Sequence, residues 1–160
     1  MRILTGTILA AFAVVFLAAG DPATAMSGKE TIDKRKAFMK EKILKPYLVA
    51  KKFTKNGEGT AADVASAARA LSAAAADITK YYPKGTGRGD FDDKVTRALP
   101  KIWEDWAEFQ KAAGVLGAEA AKLASVADGG DKDAIAAQFG KTGKMGCGGC
   151  HKPFRGAKVK

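Results

Sequence analysis

The chain is poor in the residues that build sheets, metal clusters and disulfide frameworks. Its 160 residues include only 7 Ile and 8 Val but 32 Ala, a composition that favours helices over strands. Two cysteines and one histidine are too few for a zinc site. Charged residues make up 28% of the chain and are interleaved with apolar ones, which excludes a disordered polymer. The length is that of one domain, so the sequence predicts a single all-α domain.

Long apolar runs are also scarce, and the one near the N-terminus is too short to span a bilayer comfortably. Residues 8–19 form this run, Arg2 precedes it, and Ala23-Thr24-Ala25 follows with the small-x-small pattern of a cleavage site. We expect residues 1–25 to be a cleaved signal peptide, with an uncleaved membrane anchor as the alternative. Residues 26–160 would then form a domain in the periplasm, without a membrane span in its mature form.

Apolar residues recur at helical spacing in four segments. The segments run from about 30 to 54, 60 to 81, 99 to 127 and 131 to 155. Pro46 falls inside the first pattern and is expected to kink or interrupt that helix. Four helices joined by short connections predict an antiparallel four-helix bundle. Alanine side chains bury little surface, which leaves open what fills the core of such a bundle.

The scarcest residues stand together near the C-terminus. Cys147-Gly148-Gly149-Cys150-His151 is the C-x-x-C-H pattern of covalent haem c attachment. Two thiols three residues apart on a helical turn can each form a thioether with a haem vinyl group, and the adjacent imidazole can bind the iron. A disulfide is the alternative for an exported protein, while a thioredoxin-like motif expects a βαβ context that is absent. We predict one covalent haem c with His151 as the proximal ligand, which would also fill the alanine-rich core.

The sixth iron position cannot be a second histidine of the same chain, because His151 is the only one. Methionine, lysine, the N-terminus, water or no ligand at all remain. Met1 would leave with the signal peptide, Met26 would become the N-terminus, and Met145 lies on the proximal side, six residues before His151. Met39 remains as a candidate, and its position on the first helix fits a ligand and a packing residue equally well.

Several segments carry a family resemblance. They read C-G-G-C-H-K-P-F-R at 147–155, R-K-A-F-M at 35–39, Y-P-K-G-T-G at 82–87 and L-P-K-I-W-E-D-W-A at 99–107. Over residues 29–156 the chain resembles a class II c-type cytochrome, the family of cytochrome c prime and its low-spin c-556 relatives. The segments at 82–87 and 99–107 resemble the low-spin branch. The resemblance implies a four-helix bundle with covalently bound haem.

The resemblance also implies roles for single residues. Members with Leu at the position numbered 39 here resemble the five-coordinate, high-spin type, whose pocket admits small gases, and members with Met resemble the six-coordinate, low-spin type. Met39 therefore implies His/Met ligation and a one-electron carrier, with a five-coordinate protein binding NO or CO as the alternative. Arg35 is expected near a haem propionate, with a solvated surface charge as the alternative. Four aromatic residues are expected to wall the pocket or to pack as ordinary bundle core: Trp103, Trp106, Phe109 and Phe154.

A surplus of basic residues limits the choice of partners. Lys and Arg number 27 against 17 Asp and Glu, a net charge of +10, which two haem propionates would lower in part. Such a surface can steer association with acidic redox partner proteins. Nucleic-acid binding is not expected, because no concentrated Lys/Arg run with stacking aromatics is present. We expect a monomer or homodimer that is not an enzyme, since peroxide chemistry normally uses a distal His or Arg.

Overall fold

A computed structural model describes residues 27–159, so the predicted signal peptide lies outside the described residues. The helices are α1 (Gly28–Phe38), α2 (Lys45–Asn56), α3 (Ala61–Ala75), α4 (Lys101–Glu104), α5 (Trp106–Asp128), α6 (Lys132–Lys141) and α7 (Gly148–Phe154). Two π-helical stretches, the first π segment Met39–Leu44 and the second π segment Thr142–Cys147, join α1 to α2 and α6 to α7. A 3₁₀ turn, Ile78–Tyr81, follows α3. Within residues 27–159 only isolated bridges occur and no strand forms.

These elements make four antiparallel rods. The first rod is α1 with the first π segment and α2, and the fourth is α6 with the second π segment and α7. The second and third rods, α3 and α5, pack along each other, while α2 lies against α3, and α5 also contacts α6 and the second π segment. The predicted all-α, antiparallel four-helix bundle is confirmed. None of the helices described between residues 27 and 159 is long and apolar enough to cross a membrane.

The interruption predicted at Pro46 takes the form of a π turn. Proline has no N–H to donate and its ring crowds the preceding turn. In the first π segment the backbone bonds reach one residue further than in an α-helix, and the N–H of Lys45 donates to the carbonyl of Lys40. Pro46 then falls in the first turn of α2, where no N–H is needed. The rod therefore stays helical through the proline.

The second and third predicted helices are shorter than their apolar patterns. The side chain of Thr60 accepts a hydrogen bond from the backbone N–H of Asp63 at 3.1 Å, and the Asp63 carboxylate accepts one from the N–H of Thr60 at 2.8 Å. This capping box starts α3, which ends at Ala75 before the 3₁₀ turn. The third helix is divided at Asp105, whose backbone leaves the helical region. Residues 82–100, between the 3₁₀ turn and α4, form a long loop.

The core is unequal at the two ends of the bundle. One cluster is built largely from alanine: Ala50, Val64, Ala65, Ala68, Leu123, Ala124, Ala127, Ile135 and Phe139. The other holds most of the bulky side chains: Phe38, Ile43, Leu71, Ile78, Ile102, Phe109, Leu116 and Phe154, with Ala75, Ala98, Ala113 and Ala120. The small side chains let the helices approach closely at the first end. At the second end, the bulky residues surround a cavity.

Candidate functional site

A cavity of about 710 Å³ opens between the first rod, the loop of residues 93–98 and α7. Cys147, Cys150 and His151 all line it. The three residues reach one wall together because the second π segment runs directly into α7, so the motif occupies a single helical stretch. The C-x-x-C-H spacing therefore places all three side chains on the side of this helical stretch that faces the cavity.

The two cysteines are free thiols. Burial raises the pKa of Cys150 to about 11 and also raises the pKa of Cys147. Both groups are therefore protonated at neutral pH, and a protonated thiol is a poor nucleophile for disulfide exchange. Between them, a Cβ placed on Gly149 would meet nothing within 4 Å. Gly149 is itself exposed and is not among the residues that line the cavity.

His151 is held neutral. Burial, with smaller contributions from the cations Arg155 and Arg97, lowers the pKa of His151 to about 4. A neutral imidazole keeps a lone pair for a metal ion, which a protonated one cannot offer. The Nη1 atom of Arg155 lies 3.4 Å from Nε2 of His151, so the ring faces a cation at the edge of the cavity.

The first rod supplies a wall of both apolar and charged side chains. Ile32, Met39 and Ile43 line the cavity from this side, spaced so that they share one face of the rod. Met39 is half-buried, and it is also the first residue of the first π segment. The structure thus brings Met39 and His151 to the same cavity. This position of Met39 is compatible with a packing role and with an iron-ligand role.

Arg35 also lines the cavity, but its guanidinium bonds to the protein. Nη1 donates to the hydroxyl of Thr86 at 3.0 Å and lies 3.5 Å from the carbonyl of Tyr81. Nη2 donates to the carbonyl of Thr86 at 2.8 Å and to the hydroxyl of Thr96 at 2.9 Å. The guanidinium carbon lies 4.6 Å from the centre of the Tyr82 ring. Arg35 therefore ties the long loop to α1, and both terminal nitrogens have protein partners before any propionate is considered.

The aromatic residues predicted as pocket walls divide into two groups. Phe109 and Phe154 line the cavity, with ring centres 5.3 Å apart in an edge-to-face contact. Trp103 and Trp106 do not line it. The Nε1 atom of Trp103 donates to the carbonyl of Tyr82 at 2.9 Å, because the break at Asp105 turns α4 toward the long loop. Trp103 thus supports that loop.

Several lining residues were not singled out by sequence reasoning. Tyr82 packs its ring against Phe109, with centres 4.8 Å apart, and burial raises its pKa to about 12. The segment at 82–87 had pointed to this region without indicating a contact. The charged lining residues also come from distant parts of the chain. Among the described residues that line the cavity, Asp93 is the only acidic one, and the cations are Arg35, Lys36, Lys40, Lys94, Arg97, Arg155 and Lys158.

The donor set and the space fit a covalently bound haem. Two thiols and a neutral imidazole lie on one wall, as thioether formation and iron ligation require. The volume of about 710 Å³ is in the range of cofactor sites. The apolar side chains suit a porphyrin face, while the cations around the opening suit its two carboxylates. Cys147, Cys150 and His151 would hold the group.

Comparison with known proteins agrees with this site. A family model described as Cytochrome C' matches residues 30–155. The cytochrome c' of Rhodopseudomonas palustris is 34% identical over 140 residues, covering 84% of this chain and 87% of that protein. The solved cytochrome c' from Rhodobacter Spheriodes gives a TM-score of 0.72 at 26% identity, covering 82% of this chain and 98% of that one. A cytochrome c' described as having an unusual ligand-controlled dimer dissociation gives 0.69 at 29% identity, with 83% and 99% covered.

These relatives contradict the predicted function. The matched family and the relatives named above are cytochromes c', so the predicted low-spin electron carrier with His/Met ligation is wrong. Two segments had suggested the low-spin branch. Residues 82–87 belong to the loop held by Arg35, and residues 99–107 include α4 and the start of α5. Similarity in these supporting segments carries no information about which atom binds the iron.

Replacing Arg35 with Met should loosen the long loop. The change removes the donor to the buried carbonyl of Thr86 and one of the two donors to the hydroxyl of Thr96, and an orphaned buried polar group costs about 1–3 kcal/mol. We expect the free energy of unfolding to fall by about 2–4 kcal/mol in urea titrations, and amides of residues 86–97 to exchange faster. Arg69→Met is the matched control, because Arg69 pairs with Asp128 on an exposed surface, where an ion pair contributes little. Equal losses in the two variants would contradict this role of Arg35.

Replacing both motif cysteines should remove the covalent group. The native protein is expected to exceed its polypeptide mass by one haem, and Cys147→Ser with Cys150→Ser should abolish this difference. Because the cavity would then lack a covalently fixed occupant, the variant should show weaker near-ultraviolet circular dichroism and faster amide exchange near the cavity than at the alanine-rich end. Native protein whose mass equals that of the polypeptide alone would contradict the assignment.

Proposed function

Because this chain belongs to the cytochrome c' family, we propose that it is a haem protein that keeps an open iron position and binds a small gas such as NO or CO there. Members of this family bind a covalently attached c-type haem with iron and are bacterial periplasmic proteins, so the predicted cofactor is confirmed. We assign the thioether attachment to Cys147 and Cys150 and the single protein ligand to His151. When bound, the haem supplies an iron whose remaining position can take a diatomic ligand.

The observation that carries the proposal is the composition of the cavity wall. The wall from the first rod offers Ile32, Met39 and Ile43 as its apolar contacts. NO and CO are small and nearly apolar, so these three side chains admit them and offer water no hydrogen bond at their own positions. The cations Arg35, Lys36 and Lys40 of the same rod also line the cavity. We take Met39 as a packing residue that limits the free space, the alternative that its geometry left open. His151, kept neutral by burial, provides the ligand on the motif side.

Residues 1–25 complete the proposal as a signal peptide that directs residues 26–160 to the periplasm, where haem c attachment takes place.

The proposed role is binding without turnover. The cations outnumber the one acidic residue seven to one among the described residues that line the cavity. Their contribution is to the potential around the opening, which favours carboxylates.

We further propose that an acidic redox partner docks over this opening to reduce the iron. Lys36, Lys40, Lys94, Arg97 and Lys158 line the cavity with a single acidic residue among the described lining, Asp93. Fields of this kind raise association rates with an oppositely charged protein and are screened by salt.

The basic opening makes reduction sensitive to ionic strength. The rate at which a small acidic redox protein reduces the iron should fall by about tenfold or more between low and physiological salt. Lys40→Glu combined with Lys94→Glu should lower the rate at low salt. Lys51→Glu, on an exposed part of α2 that does not line the cavity, should change it much less. A rate that is independent of salt and of these charges would contradict the docking site.

Gas binding can be tested directly by adding CO to the ferrous protein and following the optical spectrum. The native protein should bind CO with a single saturable transition. Met39→Ala, which enlarges the space beside the open position, should speed association by about tenfold, the equivalent of about 1.4 kcal/mol in the barrier. Met145→Ala is the matched control, because Met145 is 49% exposed and does not line the cavity. Absence of any spectral change in the native protein with CO or NO would contradict the proposed function.

A further inference from the structure

A buried carboxylate lies in the middle of α5, away from the cavity. Glu119 is 4% exposed and follows the buried Leu116 by one helical turn. Its Oε2 atom accepts a hydrogen bond from Nε2 of Gln138 at 2.8 Å, and its Oε1 atom accepts one from Nζ of Lys122 at 2.8 Å. Burying a carboxylate costs free energy unless its oxygens are paired. The pairing joins α5 to α6.

The backbone of Glu119 is bonded to the same region. Its carbonyl accepts a hydrogen bond from Nε2 of Gln138 at 3.2 Å and another from Oγ1 of Thr142 at 3.2 Å. The Thr142 hydroxyl also lies 3.0 Å from the carbonyl of Gln138, and Thr142 is completely buried. Thr142 is the first residue of the second π segment. Glu119 therefore contacts the chain at the point where α6 changes to π geometry.

The second π segment is also held further along its length. A Cβ on Gly146 would lie 2.8 Å from Cδ1 and 3.1 Å from Cα of Leu116, and a Cβ on Gly143 would lie 2.8 Å from Oη of Tyr47. The segment is therefore pressed between α5 and α2, and only glycine allows the approach. Leu116 and Glu119 occupy neighbouring turns of α5. One face of α5 thus contacts the π segment at its start and near its end.

The π geometry decides which way the motif faces. An α-helix turns by about 100° per residue, since it has 3.6 residues per turn. A π segment accommodates an extra residue in the same axial length. If residues 142–147 returned to α geometry, α7 would rotate by about 100° relative to α6. Cys150 and His151 would then turn away from the cavity that they line.

We propose that Glu119 is a positioning residue for the motif helix. Its carboxylate holds Gln138, while its backbone carbonyl bonds to Gln138 and Thr142, and together these contacts keep the second π segment in register. This inference rests on the proposed role of Cys147, Cys150 and His151 as the haem-binding residues. Glu119 touches neither the cavity nor those residues, and it acts through α6 and the second π segment.

The test compares Glu119→Ala with Glu108→Ala by amide hydrogen exchange of the full native protein. Both glutamates lie on α5 and pair with a lysine three residues later, but Glu108 is exposed. Glu119→Ala should speed amide exchange in residues 142–147 by about tenfold, the size of effect expected when one buried hydrogen bond is lost. It should also shift the iron–histidine stretching band of the ferrous protein. Glu119→Gln, which keeps an oxygen for Gln138, should restore both values to near native. Glu108→Ala should change neither.

Uniformly faster exchange in all helices of Glu119→Ala, or unchanged exchange in residues 142–147, would overturn the proposal. If Glu119→Ala fails to fold, Gln138→Leu tests the same contact, because it removes the amide that bonds to the Glu119 carboxylate. The exchange result stands whether or not the protein carries haem. Protein without covalent haem by mass would therefore refute the proposed function separately, while the exchange pattern would still decide the role of Glu119.

Discussion

Two thiols and an imidazole within five residues can hold one flat group only if they share a helical turn that faces unfilled space. The rest of the structure follows from this constraint. The alanine-rich end closes the bundle tightly, while the bulky residues at the other end surround a cavity of about 710 Å³. Burial keeps His151 neutral and both thiols protonated. The cofactor of the family therefore completes a core that the side chains leave open.

Two departures from regular helix border this cavity. The first π segment begins at Met39 and accommodates Pro46, while the second ends at Cys147. π turns are uncommon and often occur at functional sites, because they rotate one part of a helix relative to the next. Here they let the first and fourth rods pack against their neighbours while Met39 on one rod and the C-x-x-C-H motif on the other both face the cavity. The long loop, held to α1 by Arg35, closes the third side.

The features of the molecule that are local in sequence were predictable. Apolar spacing indicates the helices, and the C-x-x-C-H spacing indicates the haem motif. The role of Arg35 was not predictable, because its partners Thr86 and Thr96 lie 51 and 61 residues away. The π segments leave no mark in the apolar pattern. Trp103 was assigned to the pocket from residue type alone, and its direction depends on the break at Asp105.

The state of the iron depends on one side chain whose placement suits two roles. Met39 lies on the cavity wall, where packing and ligation require the same position, and kinship with cytochromes c' favours packing. The electron paramagnetic resonance spectrum of the ferric protein at neutral pH tests this role most directly. A high-spin signal that Met39→Leu leaves unchanged is the predicted result. A low-spin signal that becomes high-spin in Met39→Leu would contradict it.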